Sequence, residues 1–241
     1  MKIIKIPFVK EGIDNEKGER EVANLVLSEL GKIYPLMASL ELEEIHVDNS
    51  DKKKAEELVY ENSREELGKD RVIFVSRDDG VKDMLVNSFI SAFDNCFFIY
   101  ISPFFNTKLN IDSSNFILLG AKNLNNEQRE NLNTRKIKYF EDIGDSEAVA
   151  DFITEKARGK NVYVSIDLNV LDLAFAPGTD GQEPLGMTSR ELFYLLRRIF
   201  HMPGIKAIDV SGASVEFDEK YNFRTIKLAA KVIQEFLDLN N

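Results

Sequence analysis

Residues 165–191 read SIDLNVLDLAFAPGTDGQEPLGMTSRE. The stretch continues an apolar, β-rich run over 162–166, then passes Asp167, Asn169 and Asp172 into a loop punctuated by Pro177, Gly178, Pro184 and Gly186. Such residues form turns because proline presets φ and glycine tolerates any φ. Thr188-Ser189-Arg190-Glu191 then has the capping-box pattern, and Leu192, Leu195, Leu196 and Ile199 follow at helical spacing. The order is strand, acidic strand end, loop, capped helix, which is one βα unit. Asp167 and Asn169 stand two apart on an extended chain and point to the same side. They either present oxygens to one hard ion, with Asp172 just behind, or they cap turns and bond loop amides.

The same rhythm runs outward in both directions. Short β-rich runs at 3–6, 44–47, 72–75, 96–101, 116–119, 162–166 and 205–210 alternate with amphipathic stretches. Several runs are apolar at consecutive positions, as expected when helices cover both faces of a parallel sheet. Val81, Met84, Leu85, Ser88, Phe89 and Ala92 form a helical stripe, as do Ile226, Ala229, Ala230, Ile233 and Leu237. The charged stretch 51–57 reads as a solvated helix face. No Pro/Gly/Ser-rich linker and no internal repeat divides the chain, so residues 1–241 are expected to form a single α/β domain. In an open parallel sheet, ligands bind outside the carboxyl ends of the strands, which makes residues just past each strand the candidates.

Composition narrows the function classes. The 241 residues carry 31 basic and 41 acidic side chains, a net charge of −10 without a basic cluster, which disfavours nucleic acid. No apolar run approaches the roughly 20 residues that cross a bilayer. One cysteine, Cys96, excludes an intrachain disulfide and fits a cytoplasmic setting. Of the two histidines, His201 follows a helix and is read as its C-terminal residue facing the dipole; His46 lies near an early strand end. No Gly-x-Gly-x-x-Gly or Walker-type loop follows any strand, so a nucleotide-binding domain ranks last.

Read whole, residues 165–191 resemble the signature of the ureohydrolases, the arginases, agmatinases and formiminoglutamases. In that family the strand end carries Asp-x-Asp-x-x-Asp, followed by an Ala-Pro-Gly-Thr loop and a Gly-Gly-Leu-Thr helix start. Weaker similarity covers Ile6-Pro7-Phe8 and Leu118-Leu119-Gly120-Ala121-Lys122. The resemblance implies a parallel sheet of about eight strands with helices on both faces, and assembly as a trimer or hexamer. It also implies two manganese ions held by two histidines and four aspartates, with a bridging hydroxide that attacks a guanidinium carbon.

The ligand positions that the resemblance defines are mostly changed. Where a Gly-Gly-Asp-His belongs stands Ser76-Arg77-Asp78-Asp79, with Asp79 at the histidine. Where Asp-Ala-His-x-Asp belongs, the ligand positions become Ser102, Phe104 and Asn106. Asp167 is kept, its partner is Asn169, and a late Asp-x-x-Glu that holds the substrate is Asp209-Val210-Ser211-Gly212, so Gly212 replaces the carboxylate. Phe104 has no lone pair and is expected to place its ring into the ion site, while Asn169 offers only a neutral carbonyl. The expectation is a ureohydrolase-fold protein without a cofactor and without guanidino hydrolysis, acting as a binding, structural or regulatory subunit for an unknown small molecule. The alternative is a divergent C–N hydrolase using one magnesium, calcium or manganese ion, or none, at Asp79, Asp167 and Asn169 in a cleft with Asp78, Asp172 and Asp209. For Asp79 an N-cap is the competing role, since it precedes Gly80 and a helical stripe.

Overall fold

A computed structural model describes residues 1–8, 16–48, 50–77, 79–106, 109, 111–181 and 184–240, with backbone alone at 16, 17, 79 and 240. In chain order the elements are β1 (Lys2–Ile6), α1 (Glu16–Glu19), α2 (Val22–Ile33), β2 (Glu41–Glu44), α3 (Lys52–Leu67), β3 (Val72–Ser76), α4 (Lys82–Ala92), β4 (Cys96–Ile101), β5 (Phe116–Leu119), α5 (Asn126–Thr134), β6 (Lys138–Phe140), α6 (Ser146–Ala157), β7 (Asn161–Asp167), α7 (Ser189–Phe200), β8 (Ile205–Ser211), α8 (Val215–Asp218) and α9 (Arg224–Asn240). The strands form one 8-stranded sheet in the order β2-β1-β3-β8-β7-β4-β5-β6, every pairing parallel. This is the expected α/β architecture.

Consecutive apolar residues let the central strands bury both faces. On one face Val26 of α2, Ile153 of α6, Leu195 of α7 and Ile233 of α9 pack over Ile99, Val164 and Ile208. On the other, Val59 of α3, Leu85 and Phe89 of α4 and Leu132 of α5 pack over Phe74 and Phe98. The Thr188–Glu191 capping box closes as its sequence predicts: Glu191 N donates to Thr188 Oγ1, and Thr188 N donates back to Glu191 Oε2. His201 is the C-cap of α7, its Nδ1 2.6 Å from the Arg197 carbonyl oxygen, and His46 is exposed beside Glu44. Among the described residues no helix is long and apolar enough to cross a membrane.

Three local expectations differ. The second strand is Glu41–Glu44 rather than 44–47; it is an edge strand of sequence ELEE, so it lacks the apolar run that identifies buried strands. β6 has only three residues at the opposite edge and gives too short a pattern to read. Asp79 opens a 3-10 turn, Asp79–Val81, and the N-cap of α4 is Val81, which carries no side-chain cap. The last strand, β8, is inserted between β3 and β7. The carboxyl ends of β3, β8, β7 and β4 therefore lie side by side.

Candidate functional site

Alternation along these central strands puts a column of polar side chains beneath α4. Tyr163, Ser165 and Asp167 come from β7, Asp209 and Ser211 from β8, and Tyr100 from β4 with Ser102 just beyond it. The register aligns Tyr100 with Ser165 and Ser165 with Asp209 in one row, and Asp167 with Ser211 in another. All are buried. Asp209 is 0% exposed, and no hydrogen bond of proper geometry among the described residues reaches either of its oxygens or the hydroxyls of Tyr163, Ser165 and Ser211. Burial pushes the Asp209 carboxyl up to about 6, while the Lys82 charge and the nearby Tyr163 and Ser165 hydroxyls pull the other way. Burial, and then the Asp209 charge, holds the Tyr163 phenol well above its ordinary value.

Asp167 is the hub of the strand ends. Asn169 donates to its Oδ1 from the backbone N at 3.0 Å and from Nδ2 at 2.8 Å. Its Oδ2 accepts from Ser102 Oγ at 3.1 Å and from Lys82 Nζ at 3.4 Å. The Asn169 carbonyl faces away, accepting from Gly181 N at 2.7 Å. Lys82 is the first residue of α4, 6% exposed, with its ammonium 5.9 Å from the Tyr100 ring centroid.

The other expected residues scatter. Phe104 does not reach the space beside Asp167: the residue is 37% exposed at the wall of the neighbouring cavity, and Lys82 and Ser102 lie against Asp167 instead. Pro103 and Phe105 on either side are buried, so the alternation of the loop points Phe104 the other way. Asn106 is exposed and donates to Asp83 Oδ1 at 2.7 Å. Asp172 holds a turn, accepting from Ala174 N and Leu185 N. Gly212 has φ +93, which strains any other residue, and a Cβ there would meet Asp167 Oδ1 at 2.5 Å, so a side chain would have to displace that carboxylate. Asp78 and the Asp79 side chain lie outside the described residues.

Two features complete the strand ends. Arg77, just past β3, donates from Nε to Glu19 at 3.0 Å and pairs through its other nitrogens with Asp180; Glu19 in turn accepts from Ser214 Oγ and Glu216 N. This clasp ties α1, β3, the 177–181 loop and the start of α8 together. A cavity of about 430 Å³ opens over Lys82, Tyr100, Ser102 and Phe104. Lys82, Arg77 and the column hydroxyls of Tyr100, Tyr163, Ser165 and Ser211 were not among the sequence candidates. Two signals for them existed: polar residues at alternate positions in otherwise apolar strands, and a lysine at a helix N-terminus, where the dipole disfavours cations.

The arginase family matches residues 96–238. Proclavaminate amidinohydrolase of Streptomyces clavuligerus is 44% identical over 69 residues, 29% of this chain and 22% of that protein. Agmatinase of Halalkalibacterium halodurans is 40% identical over 88 residues, 35% of this chain and 29% of that protein. The matched segments thus span less than a third of these relatives. In three dimensions the formimidoylglutamase of Bacillus subtilis superposes with a TM-score of 0.86 at 15% identity, covering 98% of this chain and 85% of that one, which is a likeness of fold.

Proposed function

We propose that this chain, which belongs to the arginase family, forms no dinuclear manganese centre, does not hydrolyse guanidino compounds, and serves as a binding or structural subunit. The observation that carries this reading is the engagement of Asp167. A metal ligand needs lone pairs turned toward the ion, and both Asp167 oxygens already accept from Lys82, Ser102 and Asn169. The Asn169 carbonyl is turned to Gly181, Asn106 to Asp83, and Phe104 outward. Among the described residues no group of three or more His, Cys, Asp or Glu side chains converges as a metal site would require. The residues present do not fit the family's metal pair, and no hydrolytic step is derived through it. The cavity over Lys82 and Ser102 supports a binding role, because a space of this size admits a small molecule.

Purified protein incubated with manganese is expected to hold far less than two equivalents per chain by elemental analysis, and arginine and agmatine are expected to release no urea. Two tightly bound ions, or urea release abolished by Asp167→Ala, sinks the reading. The alternative C–N hydrolase would use Asp167, Asp79 or Asp209 as its acid, but Asp209 is closed off from solvent. We carry over from the family a homo-oligomer, a trimer or hexamer, as the working assembly.

A further inference from the structure

We propose that the Lys82 ammonium is the resident cation of a cation site built by Asp167, Asp209 and Ser102, a position the chain fills from its own sequence. The inference rests on the reading above that manganese does not occupy these strand ends. Lys82 is 6% exposed, and lysines are rarely buried unless paired with an opposite charge. Its Nζ lies 3.4 Å from Asp167 Oδ2, the oxygen that also accepts from Ser102, and it stands over the Tyr100 ring face, where a π system attracts a cation.

An acidic pair alone would be no site. The second observation is that Asp209 and the hydroxyls of Tyr163, Ser165 and Ser211, all buried, receive no hydrogen bond of proper geometry among the described residues. A carboxylate sealed in the middle of a sheet requires a compensating charge, and Lys82 is a buried cation over the same row, standing on the Tyr100 ring that register sets beside Ser165 and Asp209. The placement runs against local preference. A lysine at the first position of a helix meets the positive end of the dipole, and α4 carries Lys82 there without a side-chain cap. Two carboxylates beneath it overcome that preference. The ligand class of the site is therefore a compact cation of primary-ammonium type, supplied intramolecularly.

Truncating Lys82 to alanine removes the equivalent of n-propylammonium. Melting temperatures at about pH 8, where carboxylates are ionised, test the assignment. Lys82→Ala and Lys82→Met are each expected to fall by roughly 6–20 °C, since an unpaired buried charge is left behind. Adding n-propylammonium chloride should raise the melting temperature of Lys82→Ala by several degrees and leave the wild type unmoved, whereas n-propanol should do neither. Lys82→Met/Asp167→Asn should recover most of the loss, because it deletes the negative charge that Lys82 touches.

A Lys82→Met protein as stable as the wild type overturns the proposal. So does equal rescue by propanol, which would reduce Lys82 to packing. If neither single variant folds, the double variant decides: a folded double supports the assignment and an unfolded one defeats it. Wild-type protein holding two manganese ions defeats the reading of the previous section. A metal-free wild type together with an indifferent Lys82→Met defeats this one alone.

Discussion

Asp209 has the most perturbed environment of the candidate residues: fully buried, flanked by hydroxyls that do not align with it, and titrating near 6. A carboxyl raised above its unfolded value of 3.8 keeps its full contribution to stability below that value and loses it as pH rises through about 6. The loss amounts to on the order of 3 kcal/mol. Asp209→Asn cannot ionise, so it is expected to be more stable than the wild type at neutral pH, with the advantage vanishing below about pH 4. Urea denaturation across this range measures it, and a pH-independent difference would refute the assignment. At this scale the sequence was partly legible. Asp167, Asn169 and Ser102 do meet, because residue order along a strand fixes which side chains share its end. Phe104 was misplaced because nothing in one residue's chemistry tells which of two adjacent phenylalanines, 104 or 105, a loop turns inward.

Elements were legible in proportion to their burial and capping. The strands apolar at successive positions stood out, whereas β2 and β6, at the two edges, were shifted and missed, because an edge strand has less need of an apolar run. α7 was the most readable helix, since its cap and its stripe agree. Replacing Thr188 with alanine removes both the acceptor for Glu191 N and a donor to Glu191 Oε2. It is expected to cost about 1 kcal/mol in chemical denaturation, with Thr188→Ser close to wild type. An alanine variant as stable as the wild type would mean that the packing of Leu192, Leu195 and Leu196 fixes the helix start unaided. The N-terminus of α4 was misread for the opposite reason. Its first residue serves the site beneath it rather than its own helix, and tertiary demands of that kind do not show in a local pattern.

For the whole molecule, the alternation of strands and helices sufficed for the fold class, but not for the strand order, which depends on β8 entering between β3 and β7. Oligomer size belongs to this scale. Sedimentation velocity is expected to give a trimer or hexamer, and a monomer at all concentrations would remove that assignment. Leu173, Phe175 and Leu185, like Phe104, are exposed apolar side chains near the strand-end loops. The edge formed by β2 bears on how copies can meet. Glu41, Glu43 and Glu44 line it, with Lys2 and Lys5 neutralising them only from within the same chain. Two such borders brought together would set like charges opposite one another. The sheet is thereby fenced at that margin, and copies that assemble are not expected to do so by joining one β2 border to another.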